Sequence, residues 1–184
     1  MCGSELVSER EICTRCRKRS FAFSANSAVY NYNGAVRELI HQYKFEGTSK
    51  LAEFFAGVLA ECYRRDGRNE PIVPVPPRPR KGRTPRKHIS RITEILHHKF
   101  GFEVAEILER KPGLPQKALD YESRLVNPQG KFVLANPNQR AVVYNQKFLL
   151  LDDVMTTGAT LDECARVLLG AGASRVDAYT LALD

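Results

Sequence analysis

A chain of 184 residues, 43% of them apolar, is long enough for one domain with a real core, which excludes a disordered tail. Five cysteines, an odd number thinly spread, exclude a disulfide framework and suit a reducing cytosol, and no apolar run reaches membrane-spanning length. The formal net charge of +7 is local: taking Arg78, Arg80, Lys81, Arg83, Arg86, Lys87 and Arg91 out of 28 basic residues leaves 21 against 21 acidic ones. One segment is therefore built to face anions, whether pyrophosphate, nucleic acid or an acidic partner.

In chain order, residues 1–28 carry Cys2, Cys13 and Cys16 without helical or strand period and read as a small appendage to a domain over 29–184. The polar, acidic N-terminus resembles neither a secretory signal nor a transit peptide. Val29 to Tyr32 is a short strand ending at an Asn33-Gly34 turn. Val36, Leu39, Ile40 and Tyr43 give a helix over 35–45, and Leu51, Phe54, Phe55, Val58, Leu59 and Cys62 give the apolar face of a stronger one. Ile72 to Pro76 is extended, and the basic segment follows it. Ser90 then caps a helix carrying Ile92, Ile95 and Leu96 that stops near Gly101.

Residues 102–108 and 131–135 are strand candidates flanking a polar, aperiodic stretch. Ala141 to Val143 and Phe148 to Leu151 are extended, 161–169 is a helix, and Val176 to Leu183 is a last strand. Strands alternating with helices predict an α/β domain with a mainly parallel sheet.

The stretch FLLLDDVMTTGATLDECARVLLGAG carries the chemistry. Phe148–Leu151 lacks polar alternation, as a strand covered on both faces should, and stops at Asp152 and Asp153. Ligands of open parallel sheets bind beyond the carboxyl ends of strands. Carboxylates there accept hydrogen bonds from a vicinal diol or hold a hydrated Mg²⁺. The next helix starts near Ala159 or Thr160, so Thr156, Thr157, Gly158, Ala159 and Thr160 sit where unpaired backbone N–H groups and the dipole favour a phosphate. An acid pair one loop from a phosphate cradle describes a ribose 5-phosphate. On the bland alternative the acids merely end a strand and Thr160 caps a helix.

At these residues the sequence resembles the type I phosphoribosyltransferases, and more closely their ComF/GntX relatives, the competence protein F-like proteins. YNYNGAVRELIHQYKFEG, VPVP with the basic residues after it, and LERKPGLPQKALDYESRLVNPQGKF carry the resemblance along nearly the whole chain. It implies a type I phosphoribosyltransferase fold with a short cysteine-bearing N-terminal segment. It also implies that Asp152 and Asp153 hold the ribose hydroxyls of phosphoribosyl pyrophosphate with Mg²⁺ nearby, and that Thr156–Thr160 holds the 5-phosphate. Lys44, Arg80, Lys81, Arg83 and Arg86 would face pyrophosphate or DNA. Arg110, Gln116 and Arg124 would form a hood, against an ordinary polar loop.

Cys2, Cys13 and Cys16 resemble part of the family's zinc ribbon. A structural Zn²⁺ needs four ligands, so a knuckle, an uncoordinated remnant and a redox pair all stay open. Where the family has Arg-Gly-Phe-Asn-Gln, this chain reads Pro85-Arg86-Lys87-His88-Ile89. His41, His88, His97 and His98 receive no role. An enzyme of this kind would transfer phosphoribosyl to an unidentified acceptor in the cytoplasm, without membrane insertion. The rival reading is a non-catalytic DNA-uptake accessory that binds single-stranded DNA and a helicase partner.

Overall fold

The computed structural model describes residues 3, 13, 16, 20–46, 48–78, 88–111 and 130–184. Cys2, Arg80, Lys81, Arg83, Arg86, Gln116 and Arg124 lie outside them. The elements are β1 (Asn26–Asn31), α1 (Gly34–Glu46), α2 (Ser49–Arg65), β2 (Ile72–Pro74), α3 (His88–Phe100), β3 (Leu108–Arg110), β4 (Phe132–Leu134), a 3₁₀ turn (Pro137–Gln139), α4 (Arg140–Val143), β5 (Lys147–Met155), α5 (Ala159–Gly170) and β6 (Arg175–Leu183).

The main sheet has the order β1-β6-β5-β2, and every pairing in it is parallel. Parallel neighbours cannot be joined by a tight turn, which is why helices sit between the strands. Phe148 and Leu150 belong to a core with Leu161, Cys164, Ala165 and Leu168 of α5. Leu149 and Leu151 belong to a second core with Ile40, Phe55, Leu59, Ile92 and Leu96 of α1, α2 and α3. The unbroken apolar run thus serves two cores at once, the α/β arrangement its lack of alternation predicted.

Five local expectations are corrected. First, β5 does not stop at the acids: it runs through Asp152 and Asp153 to Met155, still in register with Thr180 to Leu183 of β6. Second, the buried stripe of α2 is Ala52, Phe55, Ala56, Leu59, Ala60 and Tyr63, while Phe54 is 48% exposed. Small side chains face inward, where α2 packs closely on α3.

Third, α3 starts at His88, so Ser90 lies inside the helix, where its carbonyl accepts from the Thr93 hydroxyl. Fourth, 102–108 is not one strand. Residues 103–105 run beside β2 through Ile72 N–H to the Glu103 carbonyl and Ala105 N–H to the Ile72 carbonyl. A separate antiparallel pair, β3 with β4, then begins at Leu108. Fifth, Ala141–Val143 is helical: Asn136 caps the turn before it, with Gln139 returning a bond to the Asn136 backbone and Pro137 at the start.

The chain ahead of Val29 is tied to this body. Phe23 is buried in the α5-side core, and Cys13 and Cys16 pack against that core. Ser24 N–H donates to the Val176 carbonyl.

Candidate functional site

Six elements converge on a cleft of about 310 Å³ at the carboxyl end of the sheet, lined by Lys44, Arg78, His88, Arg110, Asp152, Asp153 and Thr160 among others. β5 delivers the two acids. A strand turns successive side chains to opposite faces, so its continuation through 153 sends the acids apart. Asp153 meets α1 and α3, while Asp152 lies toward Cys164 of α5 and Arg110 at the end of β3.

Asp153 is the more enclosed, 8% exposed. Its Oδ1 takes the Lys44 ammonium at 2.8 Å and Val154 N–H at 2.6 Å, and its Oδ2 lies 2.5 Å from His88 Nε2. Burial raises this carboxyl, but the His88 hydrogen bond and the Lys44 charge outweigh it and hold Asp153 below its ordinary value. Since Asp153 is ionised, it can only accept, and His88 Nε2 carries the shared proton.

Among the described residues, Asp152 has one hydrogen-bond partner, Asp153 N–H, which donates to Oδ1 at 2.8 Å. Burial first, and then the neighbouring Asp153 charge, push it up to about 7. The pair therefore consists of one acid neutralised by cations and one whose carboxyl is raised.

The cleft walls are fixed by specific contacts. The Tyr43 hydroxyl donates to the His88 carbonyl at 2.5 Å, holding the start of α3 against the last turn of α1; burial pushes that phenol up to about 12. Val75 N–H still bonds the Leu151 carbonyl, but Pro76 and Pro77 have no N–H to continue the ladder, so the chain leaves the sheet there, toward Arg78. On the other wall the Arg110 guanidinium lies 4.4 Å from the Phe132 ring centroid, with its Nε buried and without a partner. Burial, then the Arg78 charge, lower its pKa. Among the described residues neither Arg78 nor Arg110 has an acid in ion-pair contact.

The loop between β5 and α5 ends at Gly158, whose φ of +76° suits glycine and which caps the helix. A Cβ there would meet Met155 Cε at 2.7 Å and Phe21 Cε1 at 2.8 Å, so this glycine is also required by packing. Thr156 and Thr157 are exposed, and Thr157 Oγ1 accepts from Ala159 N–H at 3.4 Å. Thr160 faces the cleft.

Three site-building residues carry no role that the sequence alone assigns. His88 is one. Asp162, in the first turn of α5, and Glu163 after it are the others: they accept Ala22 N–H at 2.6 Å and Lys131 N–H at 2.5 Å, tying the N-terminal segment and the residue before β4 to the helix. Acids in a first helical turn are the available signal. His97 and His98 are exposed, and His97 Nδ1 lies 2.9 Å from the Phe102 carbonyl. Among the described residues no three His, Cys, Asp or Glu side chains gather as a metal cluster.

Comparison with known proteins agrees with this architecture. The phosphoribosyl transferase domain profile matches residues 50–184. Competence protein ComFC of Streptococcus pneumoniae is 28% identical over 179 residues, covering 97% of this chain and 76% of that protein. Competence protein F of Haemophilus influenzae is 26% identical, with coverages of 98% and 82%. DNA utilization protein YhgH of Escherichia coli K12 is 27% identical, with coverages of 98% and 81%. With its parallel sheet and the profile match over most of its length, the chain belongs to the phosphoribosyl transferase domain family.

Proposed function

We propose that this protein binds phosphoribosyl pyrophosphate in the cleft at the end of β5. The observation that carries the reading is that one cavity is lined by Asp152, by Thr160 at a helix start capped by Gly158, and by Arg78 and Arg110, which have no acid in ion-pair contact among the described residues. The carboxylate suits ribose hydroxyls, the helix start suits a phosphate monoester, and the cations suit pyrophosphate. A volume of about 310 Å³ lies at the lower end of the usual range for small-molecule sites.

Mg²⁺ fits as a partner of the ligand. It is commonly held by one or two carboxylates together with substrate phosphates, and Asp152 Oδ2 has no protein partner among the described residues. Bound there, the metal would neutralise charge on departing pyrophosphate. Lys44 and Arg110 would stabilise the same charge from the two walls.

Titration calorimetry with phosphoribosyl pyrophosphate, with and without Mg²⁺, tests the binding. Pyrophosphate release screened against candidate acceptors tests whether phosphoribosyl is transferred. Saturable, Mg²⁺-dependent binding supports the reading; its absence at millimolar ligand overturns it.

The relatives' names, competence protein and DNA utilization protein, support a role in DNA uptake beside this site. The local excess of seven positive charges between Arg78 and Arg91 is the feature that would serve it. Replacing Arg80, Lys81, Arg83 and Arg86 by Ala should then flatten the salt dependence of single-strand binding by roughly 0.7 for each phosphate that is no longer neutralised. An unchanged slope would leave that segment to pyrophosphate alone.

A further inference from the structure

The loop between β5 and α5 is exposed at Thr156 and Thr157, yet Gly158 in the same loop is buried. Part of what buries it comes from the segment ahead of β1. A Cβ on Gly158 would meet Phe21 Cε1 at 2.8 Å and Cζ at 3.2 Å, so that ring lies directly against the loop backbone. The ring is itself held, stacked on Phe23 with centroids 4.8 Å apart, and Phe23 is 2% exposed in the α5-side core.

One residue on, Ala22 N–H donates to Asp162 Oδ1 at 2.6 Å, across 140 residues of sequence. Asp162 is buried, and its own backbone N–H donates to the Gly158 carbonyl at 2.9 Å, closing the first turn of α5. Arg166 Nε donates to the other carboxylate oxygen at 3.3 Å. The segment is anchored in turn on β6: Ser24 N–H donates to the Val176 carbonyl and Ala178 N–H to the Ala25 carbonyl, each at 2.8 Å. Gly158 is thus held by a ring against its backbone and by a helix turn whose acid grips the same segment.

A backbone cradle for a phosphate monoester binds best when its N–H groups are in place before the ligand arrives. Glycine holds a shape poorly by itself, because it populates positive and negative φ about equally. Gly158 sits at φ +76°, so its restraint comes from its surroundings. The phosphoribosyl transferase domain profile begins at residue 50, so Phe21 and Ala22 lie outside the stretch it matches.

We propose that Phe21 and Asp162 are positioning residues: by clamping Gly158 they hold the 156–160 loop in the shape that receives the 5-phosphate. The segment ahead of β1 thereby sets affinity for that end of the ligand. This rests on the phosphoribosyl pyrophosphate reading above. Neither side chain lines the cleft, so the effect passes through the loop backbone.

Two fragments of the ligand separate positioning from scaffold. Ribose 5-phosphate carries the 5-phosphate, and inorganic pyrophosphate does not. Leaving one residue's backbone to be ordered on binding lowers affinity by about 5- to 30-fold. Calorimetric titration of each fragment, in Mg²⁺, on the whole chain should therefore show Phe21→Ala weakening ribose 5-phosphate about fivefold or more, and pyrophosphate by less than about twofold. Asp162→Ala should give the same split. It carries the test if Phe21→Ala gives no cooperative melt, since it leaves the stacked rings in the core. Asp162→Asn keeps an oxygen to accept Ala22 N–H and should stay within about twofold of the unaltered protein on both fragments. Phe21→Leu, which keeps bulk beside Gly158, should recover most of the Phe21→Ala loss. A lower melting temperature with unchanged ribose 5-phosphate affinity, or equal losses on both fragments, would overturn the positioning role and leave the ligand reading standing. Failure of the unaltered protein to bind phosphoribosyl pyrophosphate or either fragment would overturn both.

Discussion

The two ends of the central sheet each bury an aspartate among cations, and they handle it differently. At the amino end, Asp177 of β6 is 2% exposed and is gripped by Arg68 at 2.8 Å and by Arg175 at 3.0 Å, while Arg68 also reaches Glu70 at 3.3 Å. Nearby, the Tyr179 hydroxyl donates to Asp66. Burial alone would raise Asp177, but hydrogen bonds from the two arginines outweigh it and hold it below its ordinary value. At the carboxyl end, Asp153 is satisfied in the same manner, but Asp152 is pushed up to about 7 and Arg78 and Arg110 lack acid partners among the described residues. A buried acid is therefore no mark of function by itself. The surplus of unmatched charge beside an open cavity is what separates the site from the scaffold.

The sharpest way to break this contrast is at Asp177. Asp177→Asn leaves Arg68 and Arg175 facing one another without a carboxylate. Removing one partner of a buried ionic cluster costs about 3–5 kcal/mol, and the half-exposed Arg175 puts this case near the lower figure, about 3 kcal/mol. Denaturant unfolding should show that loss, with ligand affinity of the folded fraction unchanged. A small loss together with weakened ligand binding would mean that the two ends are not independent.

Asp152 should behave in the opposite sense. Its folded pKa of about 7 lies above the ordinary 3.8, so between those values the folded chain binds more protons than the unfolded one and stability falls as pH rises. Asp152→Asn removes that cost and should stabilise the ligand-free protein at pH 8 by on the order of 2 kcal/mol, with little change at pH 4. Asp153 has a lowered pKa, so its contribution is present above its unfolded value and is lost as pH falls. Asp153→Asn should accordingly destabilise at pH 8. Melting curves of both variants at the two pH values measure this, and shifts of the same sign would refute the contrast between the acids.

The features legible in sequence were those set by local pattern. Phe148–Leu151 declared a strand covered on both sides, and the spacing of Leu161, Cys164, Ala165 and Leu168 declared the helix after the Thr-rich loop; both cores confirm them. Asn136-Pro137-Asn138-Gln139 was equally local, a cap, a proline and a returning side chain, yet the β-branched Val142 and Val143 after it suggested extension. The role of His88 was not legible, because its partner Asp153 is 65 residues away and only the fold brings them together. The separation of the two acids was hidden for a similar reason. Charged residues usually end a buried parallel strand, so continuation of β5 to Met155 depends on pairing with β6 and on the cations that neutralise Asp153.

Gly158 gives a smaller effect that bears on the loop beside the acids. Its φ of +76° disfavours any Cβ, and a Cβ would also press on Met155 and Phe21. Gly158→Ala should cost about 1–3 kcal/mol. The methionine end can yield, but the Phe21 ring is stacked on Phe23 with centroids 4.8 Å apart and yields less. If loop shape matters for the phosphate, ribose 5-phosphate affinity should fall with stability. A stability loss with full affinity would make this glycine a packing residue only.

The smallest effect is expected at the cysteines, which belong to neither end of the sheet. Cys13 and Cys16 rest against the α5-side core. They would supply two of the four ligands that a structural Zn²⁺ requires, and Cys2 lies outside the described residues. A complete structural site contributes about 10–16 kcal/mol in small zinc domains, so stripping one would collapse its segment. Here the segment is also held by Phe23 in the core and by Ala22 N–H on Asp162, contacts that need no metal. The purified protein should therefore carry zinc well below one per chain, and a strong chelator should move the melting temperature by less than about 2 °C, which for a domain of this size corresponds to under about 1 kcal/mol. One chelator-resistant zinc per chain, with a large fall in melting temperature on forced removal, would show that this segment is metal-built and that the core contacts of Phe21 and Phe23 depend on it.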